Sequence, residues 1–345
     1  MGKDVDFVAT DLESQIVPGG DDGVPSADTR GAAGADAGAE APAQPAPWPI
    51  FLRKATGEQI QKRLVGEFSS ILNEKGLGRY CALALLEPMN SIDSYDLDKI
   101  FEALSQQNAA RGMDVMLLLL SRGGEIEPAY QISKVCKSFA CNKFVAVVPR
   151  HAKSAATLVA LGADEIHMGP LGQLGPIDPQ IGKLPALGVS QALKTLASVA
   201  QEYPGSADLF SRYLREVLTV EQIGYCDRIS ESAVQYATRL LSTKIVVPGG
   251  PDAAAKLLVH EYKDHGFVID IEEARRHLGE DWIKTDTREL AAAEVIYSLF
   301  EMINFFLELR RPKSRLIVAG GLTLPDAVVI MEEPRRTASA RRAPR

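Results

Sequence analysis

Two short segments combine small residues with a serine, and each follows a predicted strand. Gly123-Gly124 follows the apolar run Val115–Leu120 after two intervening residues, and Ser154 comes soon after the run Phe144–Val148. Glycines let a backbone turn sharply and direct bare N–H groups at a bound oxygen, and the N–H groups at a helix start favour negative charge. The two segments together predict a hydroxyl nucleophile, Ser154, beside an oxyanion hole.

The predicted oxyanion hole takes one N–H donor from Gly123 or Gly124 and another from Ala155. Small residues around Ser154 leave room for a substrate. Each feature also has a structural interpretation, because a serine at a helix start commonly caps the helix and paired glycines commonly form a turn. Both interpretations stay open at the level of the residues.

The elements that position these residues alternate between strand and helix. Strands are predicted at Cys81–Leu86, Val115–Leu120, Phe144–Val148 and Glu165–Met168, and helices at Ser94–Gln107 (with Ser94 as its N-cap), Glu125–Phe139 and Ser154–Leu161. Most of the strands are continuously apolar, which is typical of a parallel sheet covered on both faces. The predicted fold is α/β, a parallel sheet with crossover helices, and ligands of such sheets bind at the carboxyl edge.

Beyond Gly188 the sequence is mostly helical, and we expect a helical extension on the α/β core. Helices are predicted at Ser190–Gln201, Ala207–Leu241 (broken), Pro251–Tyr262, Ile271–Leu278 and Thr287–Leu309, and extended segments at Ile245–Val247, Phe267–Ile269 and Leu316–Val318.

Composition divides the 345 residues into four parts. Residues 1–47 contain 29 Ala, Gly, Pro and Asp, too few large apolar groups to bury a core, so a disordered acidic arm is expected there. We expect the main domain with a helical insert over 48–285, a C-terminal helical extension over 286–333, and a disordered basic tail over 334–345. The net charge is −7, and without clustered basic charge in the body we expect no nucleic-acid binding.

No stretch of about 18 residues is both apolar and uncharged, so no transmembrane helix is expected. The most apolar late segment, Val295–Leu309, is interrupted by Glu301 and Glu308; a core or subunit-interface helix explains it better than attachment to a membrane surface. The four cysteines form no CxxC pair, and no histidine has zinc-site spacing to a cysteine pair. We therefore expect a cytoplasmic protein, with peripheral membrane association left open, and no cofactor or metal.

Several motifs resemble one family. Leu118–Gly124 resembles the strand and Ser-x-Gly-Gly turn of the Clp protease/crotonase superfamily. Ala152–Thr157, Ala160–Ile166 and Leu174–Gln180 are similar to segments of the serine dehydrogenase proteinase family, a prokaryotic relative of signal peptide peptidase A. Tyr262–Phe267, followed by Glu272–Ala274, resembles its C-terminal part.

The resemblance implies a Clp protease/crotonase-like serine peptidase that hydrolyses peptide bonds by acyl transfer. Ser154 falls on the position of the family's nucleophile, and Gly123, Gly124 and Ala155 fall on its oxyanion-hole positions. It also implies a homo-oligomer that encloses its sites. The expected substrate is a peptide or an unfolded protein.

The general base is less clear, because the histidine that Clp proteases place about two dozen residues after the serine is absent. That neighbourhood contains Asp178, which we interpret as a turn residue. Signal peptide peptidase relatives use a lysine, so a Ser/Lys pairing is favoured. The candidate bases are Lys153, Lys183, Lys194 and His265. His151 and His167 are expected at the surface or an interface.

Two alternatives to a peptidase stay open. An inactive oligomeric scaffold of the same fold would explain the missing base. A crotonase-type enzyme would use the same oxyanion hole for a coenzyme A thioester, with Glu125 and Glu127 as candidate carboxylates.

Overall fold

The computed structural model describes residues 46–181, 184–244, 247–310 and 314–332. The predicted arm, apart from its last two residues, and the predicted tail 334–345 lie outside these ranges. Lys183 also lies outside them.

Strands that form the central sheet come from almost the whole described chain. They are β1 Tyr80–Glu87, β2 Asp114–Ser121, β3 Phe144–Val148, β4 His151–Ala152, β5 Glu165–Met168, β6 Gln173–Leu174, β9 Ile283–Lys284, β10 Ser314–Gly321 and β11 Val328–Glu332. The two remaining strands, β7 Gln180–Ile181 and β8 Leu184–Pro185, form a separate hairpin. The four strands predicted from apolar runs are β1, β2, β3 and β5, and their bounds differ from the prediction by at most one residue.

The sheet order is β11-β10-β1-β2-β3-β5-β9. From β1 to β9 the neighbours are parallel, and β10 and β11 add an antiparallel edge beside β1. Two short strands extend the sheet outside this order: β4 pairs in parallel with β2, and β6 pairs in parallel with β4. The predicted α/β fold with a parallel sheet is confirmed.

The helices are α1 Trp48–Phe51, α2 Gly57–Glu74, α3 Ser94–Gln107, α4 Ile126–Phe139, α5 Ala155–Leu161, α6 Ala186–Glu202, α7 Ala207–Val217, α8 Val220–Leu241, α9 Pro251–Lys256, α10 Ile271–Leu278 and α11 Arg288–Arg310. A π-helical turn, Leu257–Glu261, continues α9. The N-cap of α3 is Asp93 rather than the predicted Ser94, because Asp93 and Asp96 form a reciprocal capping box.

Both faces of the sheet are covered by apolar side chains, as its continuous hydrophobic strands require. Along β1, Leu83 and Leu85 belong to one core and Ala84 and Leu86 to the other. Helices α3, α4 and α5 pack in the first core, and α2 and α11 pack in the second. This arrangement leaves the carboxyl edge of the strands as the place where loops meet.

The segment 286–333 departs from the expected helical extension. Its first half is α11, but its second half forms β10 and β11, and β10 lies antiparallel to β1 inside the sheet. The extension is therefore part of the core fold. The short apolar run Leu316–Val318 carried the signal for β10, whose eight residues extend past it on both sides.

Within the described ranges, α11 alone is long and apolar enough to cross a membrane. One face of this helix, including Ile296, Phe300 and Ile303, is buried against the sheet. Phe305 and Leu309 are exposed. The buried face of α11 matches the interpretation of its sequence as a core or subunit-interface helix.

Candidate active site

The two junctions that the sequence singled out lie side by side at the carboxyl edge of the sheet. Ser121, the last residue of β2, is in parallel register with Ala152 of β4. The N–H of Lys153 donates to the Ser121 carbonyl at 3.0 Å. These contacts fix the glycine turn against the start of α5, where Ser154 stands.

Ser154 has an unusual backbone conformation for a residue at a helix start. Its φ is 51° and its ψ is −119°, a region that non-glycine residues rarely occupy. It occupies the N-cap position of α5, yet its side chain makes no capping hydrogen bond, and the residue is only 8% exposed. Capping therefore does not explain this serine, and strain of this kind is concentrated at functional sites.

The glycines of the turn are required by close contacts. At Gly123, where φ is 111°, an added Cβ would lie 2.7 Å from the Ser154 Cβ and 3.0 Å from the Ala155 nitrogen. At Gly124 an added Cβ would collide with the backbone of Ile92. A side chain at either position would push apart the turn, the serine and the loop that precedes α3.

The N–H groups around Ser154 differ in their availability. Gly123 donates its N–H to the Ser121 Oγ at 3.1 Å. The N–H groups of Gly124 and Ala155 meet no acceptor within the part of the chain that the structure describes. Of the predicted oxyanion donors, Gly124 and Ala155 are thus available, whereas Gly123 is engaged inside the turn.

A histidine and an aspartate reach this edge from distant parts of the chain. The segment with His265 is fixed because Ile269 and Leu174 exchange two backbone hydrogen bonds of 2.9 and 3.1 Å. The segment with Asp178 is fixed because the Ile177 N–H donates to the Leu258 carbonyl at 2.8 Å. These contacts place the His265 Nδ1 3.8 Å from the Asp178 Oδ2.

The His265 Nδ1 is buried and makes no hydrogen bond to any described residue. Asp178 is itself buried, which does not match its interpretation as an ordinary turn residue. Distances between catalytic partners often shorten when a substrate binds. The pair is arranged so that a small rotation would bring a carboxylate oxygen onto the imidazole Nδ1.

Ser154 and His265 line one cavity of about 1050 Å³ at the sheet edge. The glycine turn forms one side of the cavity, and the loop before α3 forms a second side. Helix α8 and the segment after α9 form the others. Its lining includes Met89, Arg122, Gly124, Glu125, Ile126, Glu127, His151, Lys153, Pro179, Tyr225 and Ile229. The space is large enough for several residues of an extended peptide.

The three predicted lysine bases have different surroundings. Lys153 lines the cavity, but its Nζ donates to the Phe267 carbonyl at 2.8 Å. Burial lowers the pKa of Lys153, while the nearby Asp264 carboxylate acts in the opposite direction. Lys194 is exposed on α6 and is not in the cavity lining, and Lys183 lies outside the described residues.

Sequence reasoning did not anticipate the surroundings of three polar residues, of which only His151 lines the cavity. Thr157 is fully buried, accepts the Gly175 N–H at 3.0 Å and lies 2.7 Å from the Ala152 carbonyl, so it joins the ends of β4 and β6 behind Ser154. His151 lines the cavity rather than the surface, and burial lowers its pKa, with Arg122 and Lys153 adding to the effect. His167 is buried too, with its Nδ1 2.8 Å from the Thr287 Oγ1.

The carboxylates proposed for a thioester enzyme also lie here, because Glu125 and Glu127 line the cavity. Both side chains are exposed. Across the described ranges, no three or more His, Cys, Asp and Glu side chains are grouped to hold a metal ion.

Comparison with known proteins finds relatives of part of the chain. The chain is 29% identical over 210 residues to an uncharacterized protein of Methanocaldococcus jannaschii, covering 60% of this chain and 64% of that protein. A second uncharacterized protein of the same organism is 36% identical over 80 residues, which are 23% of this chain and 27% of that one. The chain thus spans less than two thirds of the length of these relatives.

Among solved structures, a membrane-bound stomatin-specific protease aligns with a TM-score of 0.40 and 15% identity, over 62% of this chain and 83% of that one. ClpP1 from Listeria monocytogenes aligns with a TM-score of 0.39 and 13% identity, over 64% of this chain and 99% of that one. Residues 84–202 match the family model of the ClpP-like SDH-type serine proteinases. This segment holds the glycine turn, Ser154 and Asp178, and the model that it matches is that of the family which the sequence motifs resemble.

Proposed function

We propose that the protein is a serine peptidase in which Ser154 is the nucleophile, His265 the general base and Asp178 the residue that orients the base. The observation that carries the proposal is the strained, buried Ser154, which caps no N–H group and faces a cavity shared with His265. The serine proteinase family matched by residues 84–202 supports it.

In the proposed reaction, the His265 imidazole removes the proton from the Ser154 hydroxyl as its Oγ attacks the carbonyl carbon of the substrate. The negative charge moves to the carbonyl oxygen, and the N–H groups of Gly124 and Ala155 stabilise it. The protonated imidazole then gives its proton to the leaving amine, and the C–N bond breaks. Water repeats the sequence on the acyl-enzyme and releases the acid.

His265 is preferred over the lysines because of its surroundings. The Lys153 Nζ already has a carbonyl partner, and Lys194 is exposed, whereas a lysine base must lose its proton near neutral pH through desolvation. His265 has an acidic partner on the Nδ1 side, as a serine peptidase base requires. The Ser/Lys pairing expected from the sequence remains an alternative, with Lys153 as its best-placed member.

The proposal is tested by comparing the wild type with Ser154→Ala in the cleavage of a fluorescently labelled unfolded protein. Ser206→Ala is the matched control, because Ser206 also stands at an N-cap position, that of α7, without a capping hydrogen bond. We expect Ser154→Ala to lose at least about 10³-fold in rate, since the nucleophile is removed. Ser206→Ala should cleave like the wild type.

Two outcomes would contradict the proposal. Cleavage that survives in Ser154→Ala would assign the activity to another group or to a contaminant. No cleavage by any folded variant would favour the inactive scaffold, and a thermal shift with coenzyme A would favour the thioester alternative. The homo-oligomer and the cytoplasmic location remain predictions of the sequence.

A further inference from the structure

Two buried carboxyl groups lie next to the glycine turn, outside the proposed triad. Glu87 ends β1 and Asp96 lies in the first turn of α3, and each is only 3% exposed. Their side chains hydrogen bond to each other. Two hydrogen-bonded carboxyl groups cannot both be ionised, because neither would have a proton to donate and the two charges would repel each other. One of them must carry the proton of that hydrogen bond.

The donor and acceptor of this pair follow from its other contacts. Asp96 Oδ2 accepts the N–H of Asp93 at 2.9 Å, which favours the ionised form of Asp96. Burial raises the pKa of Glu87 to about 9, and the charges of Asp96 and Asp93 add to the effect. Glu87 is therefore the protonated partner at neutral pH, and it donates to Asp96.

Other charged groups face Glu87 from the elements packed around it. Besides Asp93 and Asp96 on the α3 side, the carboxylates of Glu301 and Glu308 on α11 and the guanidinium of Arg315 on β10 line a small cavity with Glu87. This cavity has a volume of about 270 Å³. The shift in the pKa of Glu87 comes from burial, Asp96 and Asp93, so a change at Glu301 should leave it in place.

The carboxyl pair is connected to the oxyanion turn through a short run of backbone. The capping box of Asp93 and Asp96 fixes the start of α3, and the residue before it is Ile92. The Ile92 N–H donates to the Gly123 carbonyl at 3.0 Å, and the Ile92 carbonyl accepts the Glu125 N–H at 2.9 Å. Ile92 thus holds the backbone on both sides of Gly124.

The same run of chain forms a wall of the proposed active site. Met89 and Asn90 line both the large cavity with Ser154 and the small cavity with Glu87. At the other end of this run, Glu87 is in parallel register with Ser121, whose Oγ accepts the Gly123 N–H. The loop 88–92 is therefore fixed at both of its ends next to the turn that supplies an oxyanion donor.

We propose that Glu87 and Asp96 are positioning residues, which share one proton and thereby hold the loop 88–92 against the glycine turn. Their effect on catalysis rests on the proposed peptidase function, but their effect on the loop does not. Ionisation of Glu87 would place two negative charges together in a buried site. The loop would then separate from the turn, and the Gly124 N–H would lose its position.

The test measures amide hydrogen exchange, corrected for intrinsic rates, in the full chain at pH 7 and pH 10. Glu87→Gln keeps a neutral group that can donate to Asp96, and Glu301→Gln is a control from the same small cavity. At pH 10 we expect exchange in 88–92 and 121–125 to be about tenfold slower in Glu87→Gln than in the wild type. At pH 7 the two should agree, and Glu301→Gln should follow the wild type at both pH values.

Glu87→Ala extends the test, because it removes the hydrogen bond at every pH and should speed exchange in the same segments at pH 7. If this variant does not fold, the comparison of the wild type with Glu87→Gln still decides. Equal exchange in these two proteins at pH 10 would overturn the proposal.

Where cleavage is measured, the wild-type kcat should fall above pH 9 and the Glu87→Gln kcat should not. Loop effects without Ser154-dependent cleavage would contradict the peptidase function alone.

Discussion

The two halves of the proposed active site are built in different ways. The nucleophile half consists of two adjacent strand-to-helix turns, 121–124 and 152–155, which a single register pair, Ser121 with Ala152, brings together. The base half consists of Asp178 and His265, which are 87 positions apart in the numbering. They meet because of backbone hydrogen bonds between loops that belong to neither turn.

This difference shows which part of a site is local. In the nucleophile half, parallel pairing places the carboxyl ends of neighbouring strands at one edge, so the position of Ser154 follows from the strand order. In the base half, the positions depend on how the chain after α9 returns to β6. We therefore expect substitutions to displace the loops of the base half more easily. The nucleophile half should not accommodate an added side-chain atom at the glycine turn.

The largest expected effect separates the two halves chemically. His265→Asn removes the proposed base while leaving Ser154 and the turn in place, so the rate of peptide cleavage should fall roughly 10⁴-fold with little change in KM. The measurement is kcat and KM for a fluorogenic peptide, with the wild-type protein alongside.

His260→Asn is the matched control for this variant, because His260 lies in the π-helical turn nearby and is not in the cavity lining. It should retain the wild-type rate. A His265→Asn protein that keeps most of its activity would exclude His265 as the base. A large loss in Lys153→Met would then assign that role to Lys153.

A somewhat smaller effect is expected from an added methyl group in the nucleophile half. Gly123→Ala would place a Cβ 2.7 Å from the Ser154 Cβ, at a φ of 111° that alanine rarely adopts. We expect a loss of about 10³-fold in kcat and a decrease of about 1–3 kcal/mol in the free energy of unfolding. Denaturant titration and cleavage rates measure both.

Gly66→Ala controls for the change of glycine to alanine. Gly66 lies in the interior of α2, and an added Cβ there would have no neighbour within 4 Å. Alanine should stabilise that helix slightly. If Gly123→Ala proved as active as Gly66→Ala, the turn would not be held as closely against Ser154 as the contacts indicate.

The sequence predicts the locally encoded parts of this molecule better than the parts that depend on distant contacts. Continuous apolar runs predicted β1, β2 and β3 almost to the residue, because burial on both faces leaves a strong signal. The mixed segment Glu165–Met168 was predicted with the bounds of β5. The strand β10 was only partly recognised, since its antiparallel pairing with β1 depends on a contact more than two hundred positions away. The sequence also could not show that Gly123 donates inside the turn, because that depends on the rotamer of Ser121.

The same limit applied to the base. His265 was one of four candidates, but its pairing with Asp178 depends on the contact of Ile269 with Leu174, which no local pattern encodes. Asp178 lies between two prolines in sequence, and prolines on both sides favour a turn, so its burial was not anticipated. Likewise, the proton shared by Glu87 and Asp96 depends on burial that a strand end does not reveal.

The last expected effect concerns folding rather than turnover. The pKa of Glu87 is about 9 in the folded protein, against 4.5 as its ordinary value. Between these pH values the unfolded chain releases a proton that the folded protein keeps, so the free energy of unfolding decreases as the pH rises. Glu87→Gln has no proton to release there, and its stability relative to the wild type should increase by at most about 1.4 kcal/mol per pH unit.

Urea titrations at pH 5 and pH 8 measure this difference, with the exposed Glu308→Gln as a control that should show no such trend. A stability difference that stays constant between the two pH values would show that Glu87 is ionised in the folded protein, and the loop beside the glycine turn would then need another explanation for its position.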